Sequence, residues 1–92
     1  TVSGAAQNAN VLVSGINEIT TVNNSGDAVT LPKAQVGLQI TVLNVASRDM
    51  TVGPAVGDQI EGSAVNQLSP LSSGSNQVFI ATSPNFWRRL LK

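Results

Sequence analysis

An all-β fold is what this sequence predicts: a small sandwich or barrel of short antiparallel strands, with a jelly roll among the arrangements open to it and little helix. Two observations carry the prediction. Val, Ile and Thr are abundant from residue 11 onward, and Gly, Asn, Asp and Pro interrupt them about every six to ten residues, the spacing of short strands joined by turns. The segment Leu38-Gln39-Ile40-Thr41-Val42-Leu43-Asn44 also puts Leu38, Ile40 and Val42 on one face of a strand and Gln39 and Thr41 on the other, because successive side chains of a strand point to opposite faces.

The elements follow in chain order. Residues 1–10 are small and polar and carry no charge. Such a segment cannot bury enough apolar area to offset its own ordering entropy, so a flexible arm is expected there, with one β domain over residues 11–92. Strands are expected at 11–13, at 18–22 before the turn Asn23-Asn24-Ser25-Gly26-Asp27, and at 28–31. The last stops at Pro32, which has no N–H to give a ladder. Residues 38–44 form the best strand. Short strands at 50–52, 59–61 and 68–71 follow, the last interrupted by Pro70. Residues 76–82 form a second long strand, and Ser83-Pro84-Asn85 turns the chain into a terminal strand from Phe86. Residues 32–36, with Pro first and Gly37 after them, have the composition of a single helical turn, and residues 63–66 of another. On matching alternation, Leu38, Ile40, Val42, Val78 and Ile80 are expected at the centre of the core.

Size and composition narrow the function. Ninety-two residues allow one domain, and a chain this short buries only roughly 60–65% of the surface its unfolded state exposes. Small domains commonly gain stability from disulfides, a metal or oligomerisation. There is no Cys and no His, which removes disulfides and the usual zinc ligands and points to self-association. Five basic and five acidic residues give zero net charge, and only 11% of residues are charged, against about 25% in ordinary domains. A nucleic-acid partner is not expected, since it needs a basic stripe. No run of apolar residues approaches the roughly 20 of a membrane span, and residues 1–8 lack the basic and apolar regions of a signal peptide.

Candidate chemistry is sparse. The carboxylates are Glu18, Asp27, Asp49, Asp58 and Glu61. Asp58 and Glu61 are the nearest pair for glycoside hydrolysis. Yet Asp27, Asp49 and Asp58 sit in polar or Gly-bearing turns, where Asp bonds its own backbone. Without His, Cys or Tyr the usual bases and nucleophiles are missing, so neither a catalytic residue nor a cofactor is expected. Calcium on Asp27 or Asp58 is the best metal candidate, but the EF-hand spacing is absent, and no metal site is assigned. Gly53, Gly57 and Gly62 lack the Lys and helix of a phosphate loop. Trp87 is the single Trp; in a small β domain it serves as a core plug more readily than as an exposed platform. The neighbouring Arg88 and Arg89 suit a partner's carboxylates. Taken with the arm, the candidate partner-binding residues are Val2, Ala5, Ala6, Ala9, Trp87, Arg88 and Arg89.

The run Ile19-Thr20-Thr21-Val22, then Asp27-Ala28-Val29-Thr30-Leu31-Pro32-Lys33-Ala34, then Gly37-Leu38-Gln39-Ile40-Thr41-Val42-Leu43-Asn44 resembles a segment recurring in small bacteriophage structural proteins. The likeness continues through Met50-Thr51-Val52-Gly53-Pro54-Ala55-Val56-Gly57-Asp58-Gln59-Ile60-Glu61-Gly62 and on to Leu71, Gly74, Phe79 and Trp87, covering residues 16–88. It implies a β module of head-decoration, head-fibre and tail-fibre proteins, often trimeric. The expectation is therefore a capsid decoration (cement) protein on the outer capsid surface of a virion. It would bind the major capsid protein as a homotrimer and stabilise the shell. The alternative is a fibre or receptor-binding module that recognises host-surface glycans, and a small carbohydrate hydrolase is the third and weakest reading. No binding residue is carried over from the likeness, whose residues specify turns and strands.

Overall fold

The strand pattern is realised as eight strands: β1 (Gly15–Ile19), β2 (Ala28–Thr30), β3 (Gln39–Asn44), β4 (Met50–Gly53), β5 (Gln59–Ile60), β6 (Ser69–Leu71), β7 (Asn76–Ser83) and β8 (Phe86–Leu90). The structure is a computed structural model that describes Gly4 and residues 10–90. The expected all-β class holds, and the described residues contain no helix.

Two sheets share one core. One is five-stranded in the order β1-β3-β7-β8-β5, the other three-stranded in the order β2-β4-β6. The chain alternates between them from β1 to β7, so each of β2 to β6 lies in the sheet opposite its sequence neighbours. A parallel pair needs a long crossover between its strands, and here a strand of the opposite sheet serves as that crossover. Hence β1 pairs β3 in parallel, with Gly15 opposite Ile40, and β2 pairs β4 in parallel, with Ala28 opposite Thr51. β5 pairs β8 in parallel as well. The expected antiparallel pairing is found between β3 and β7, β4 and β6, and β7 and β8. The sheets are thus mixed, and the wholly antiparallel ladder of a jelly roll is not the path taken.

Local sequence sets the turns. In residues 35–38 the N–H of Leu38 donates to the Gln35 carbonyl at 2.9 Å, and in 55–58 Asp58 donates to Ala55 at 2.9 Å. The third residue of each turn, Gly37 or Gly57, has φ near +90° (91° and 88°), the type II turn that requires glycine or Asn there. Each turn enters a strand through the same Gln-Ile pair, Gln39-Ile40 or Gln59-Ile60. This is why residues 32–36 form no helical turn: the chain is committed to the turn at 35–38. Residues 63–66 form none either, since Gln59 bridges Val65 and Gln67 N–H closes a turn on the Ala64 carbonyl at 3.1 Å. Pro70 is exposed on β6, at the edge of its sheet, where its missing N–H costs no ladder bond. The first strand lies earlier than the expected 18–22: β1 ends at Ile19, and Val22 turns into the core.

The core joins both sheets. Ile40, Val42, Phe79, Ala81, Ile60 and Trp87 from the larger sheet pack with Val29, Met50, Val52 and Leu71 from the smaller. Ile40 and Val42 lie where alternation along β3 puts them. Val78 and Ile80 do not: they are only half-buried, and Phe79 and Ala81 face inward instead. β7 is apolar on both faces, so its alternation alone does not choose a side, and the register Ile40 opposite Phe79 decides it. Leu38 is partly buried against the core. Asn44 is the polar tie between sheets. It is fully buried on β3, its amide donates to the carbonyls of Arg48 and Leu71 at 3.1 Å each, and its Oδ1 accepts from Ala46 N–H at 3.1 Å.

The outer edge of β2 is paired. Ala28 N–H donates to the Gly4 carbonyl at 2.8 Å, Thr30 N–H to the Asn10 carbonyl at 3.2 Å, and Leu12 N–H to the Thr30 carbonyl at 2.8 Å. The segment assigned to the arm therefore supplies two carbonyl acceptors to the domain. Val2, Ala5, Ala6 and Ala9 lie outside the described residues.

Candidate interaction surface

Alternation along β8 separates the residues assigned to partner binding at this end of the chain. Trp87 and Arg89 share the inward side, while Phe86, Arg88 and Leu90 point outward. Trp87 is fully buried opposite Ala81, so its ring plugs the core and is not presented to a partner. Its indole N–H is buried without a hydrogen-bond partner among the described residues, as is Nε of Arg89. Arg88 is exposed. It forms an ion pair with Glu61 at 3.1 Å, and its guanidinium lies 5.5 Å from the centre of the Phe86 ring. The other Glu61 oxygen accepts the backbone N–H of Arg89 at 3.1 Å. One carboxylate thus ties the chain after β5 to β8, and of the three residues Arg88 alone remains open to a partner.

The carboxylates considered for catalysis are occupied in the fold. Asp58 is fully buried; its Oδ1 accepts from Lys33 Nζ at 2.7 Å and its Oδ2 from Ala34 N–H at 2.8 Å. Lys33 also reaches the side-chain carbonyl of Asn85. Asp27 accepts from Asn24 N–H at 3.1 Å, a local turn bond of the kind Asp favours, and Asp49 accepts from Ser73 N–H at 2.8 Å, which ties the loop between β3 and β4 to the loop between β6 and β7. Asp58 and Glu61 therefore face different partners and do not flank a common space. Among the described residues no group of three acidic, His or Cys side chains converges on one point, and no cleft opens between the sheets. Glu18 differs from the other carboxylates: it is exposed on β1 and makes no hydrogen bond or ion pair among the described residues.

Glu18 borders the most distinctive surface of the molecule, the outward face of the five-stranded sheet. Strand register lines up Ile16, Thr41, Val78 and Leu90 in one unbroken row across β1, β3, β7 and β8. A neighbouring row runs Glu18, Leu43, Asn76, and the one on the other side Gln39, Ile80, Arg88. Ile16, Leu43, Val78, Ile80 and Leu90 form an apolar patch, with Ile16 73% exposed and Leu90 43% exposed. Among the described residues, charge is confined to its lateral borders, Glu18 on β1 and Arg88 on β8. Contiguous exposed apolar surface rimmed by polar residues marks an interaction site.

Residue-level reading of the sequence missed this face. The signal for it was present in the uninterrupted apolar run Val78-Phe79-Ile80-Ala81, since a strand apolar on both faces has something to bury on each. The chain matches no family model and no curated protein.

Proposed function

We propose that the chain is a structural protein of a bacteriophage virion: a capsid decoration (cement) protein that sits on the outer capsid surface as a homotrimer, binds the major capsid protein and stabilises the shell. The observation that carries the assembly part of this reading is the apolar outer face of the larger sheet. It is built from side chains of four paired strands and, among the described residues, bears charge only at its borders. Burying such a face releases water from apolar surface and desolvates few charges, which favours protein–protein contact. The virion assignment draws on the likeness of residues 16–88 to small phage structural proteins.

Copy number tests the role. Quantitative mass spectrometry of purified particles is expected to find the chain in hundreds of copies per virion, and heads lacking it are expected to lose their contents at lower temperature. A handful of copies per particle would place the chain in a fibre, and absence from particles would remove the virion reading altogether.

A further inference from the structure

We infer that the outward face of the five-stranded sheet is where copies of this chain meet, as a closed ring in which the β1 border of one copy abuts the β8 border of the next. The inference rests on the trimer reading above and adds the surface and its polarity.

Three observations lead to it. First, among the described residues the face is the largest set of outward apolar side chains held by paired strands, with Ile16, Val78 and Leu90 in one row and Leu43 and Ile80 beside it. Second, its two borders carry opposite charge. Glu18 stands on β1 with no partner of its own among the described residues. On the other border stands Arg88, whose one ion-pair partner among the described residues is Glu61. Where the row reaches Leu90, β8 is itself the border, since β5 pairs only with Phe86 and Trp87. Third, the other sheet offers no comparable surface. Its β2 edge is bonded by Gly4, Asn10 and Leu12, and its β6 strand carries Pro70, a residue that blocks pairing along an edge.

Unlike borders on one face make a head-to-tail contact favourable. Glu18 lies in the row of Leu43 and Arg88 in the row of Gln39, so the copies meet with a stagger along the strands, which stand tilted to the ring axis as strands in a closed barrel do. Each junction then sets the Glu18 carboxylate of one copy beside the Arg88 guanidinium of the next, while the apolar rows close toward a common axis. A head-to-tail contact that returns on itself gives a cyclic assembly. Both charges lie at the solvent-facing rim, where they select register and partner more than they add affinity.

Sedimentation of the full chain across the micromolar range tests this, with circular dichroism confirming that each variant is folded. The wild type is expected to be a trimer. Ile16→Asp, a change at an exposed position, is expected to weaken assembly about tenfold or more, as a charge buried in an interface centre does; Val36→Asp, at an exposed valine away from the face, is expected to leave it unchanged. Glu18→Gln and Arg88→Gln are each expected to weaken the trimer, and the double variant to be no weaker than the worse single, because both remove one contact. A wild-type trimer indifferent to Ile16→Asp, or single losses that multiply in the double variant, would overturn the ring geometry and leave the trimer standing. A wild type that stays monomeric would overturn both.

Discussion

The buried carboxylate of Asp58 accepts the backbone N–H of Ala34 at 2.8 Å, so the turn that follows β4 anchors the loop that follows β2. The same carboxylate takes Lys33 Nζ at 2.7 Å, and Lys33 in turn meets the Asn85 side chain in the β7–β8 turn. Three loops from distant parts of the chain are held at one point. Asp58→Ala leaves the Ala34 N–H buried without an acceptor and is expected to cost about 1.5–3 kcal/mol, the range for a hydrogen bond to a charged group. Lys33→Met keeps the Ala34 bond and is expected to cost less, because the lysine is 57% exposed, against none for the Asp58 side chain, and water can enter the space the ammonium leaves. Urea denaturation of both variants checks the order; equal losses would mean that the ion pair, rather than the backbone bond, is the anchor.

The face chosen by β7 gives a second test. Phe79→Ala removes a ring packed opposite Ile40 and is expected to cost about 3–5 kcal/mol, with Ile40→Ala at about 2–5 kcal/mol. Ile80→Thr, on the outward face, is expected to change the stability of the isolated subunit by only about 0.5 kcal/mol. Measured below the concentration at which the chain self-associates, a large loss at Ile80 and a small one at Phe79 would reverse the assignment of the two faces.

Turn chemistry supplies a third. Gly57 has φ of 88° and open space where a Cβ would stand, so Gly57→Ala meets only the conformational cost of a left-handed backbone, about 1–2 kcal/mol. Val56→Ser, one residue earlier and exposed, is expected to be close to neutral. Thermal denaturation that found the two variants equal would show that the turn is not held in its type II form.

The arm makes a fourth. Composition alone predicts that deleting residues 1–10 leaves the melting temperature unchanged. The bonds from Ala28 and Thr30 to the Gly4 and Asn10 carbonyls, and from the Asn10 amide to the Ala28 carbonyl at 2.8 Å, predict a loss instead. Ala28 and Thr30 are buried, and at about 0.5–1.5 kcal/mol for each bond the melting temperature is expected to fall measurably. Hydrogen exchange at the Ala28 and Thr30 amides reads the same bonds directly: fast exchange in the intact chain would show that this edge is open.

The features legible in the residues are local. Val, Ile and Thr between turn residues specified strands, and Gly37 and Gly57 specified where the chain reverses, because a positive φ favours glycine over nearly every other residue. The inward face of β3 was equally legible, since Ile40 and Val42 alternate with Gln39 and Thr41. Tertiary structure alone decided which strands pair and which side of β7 faces the core. The sequence around β7 is apolar on both sides, and a period of two residues cannot rank one apolar face above another. The ranking came from the partner: Ile40, already committed inward on β3, stands opposite Phe79 and draws it in, which sends Val78 and Ile80 to the outside beside Ile16 and Leu90. The parallel pairs were hidden for a related reason, because a strand's neighbour in space is set by where the crossover returns the chain, and that depends on two sheets closing over one core rather than on any stretch of residues within a single strand.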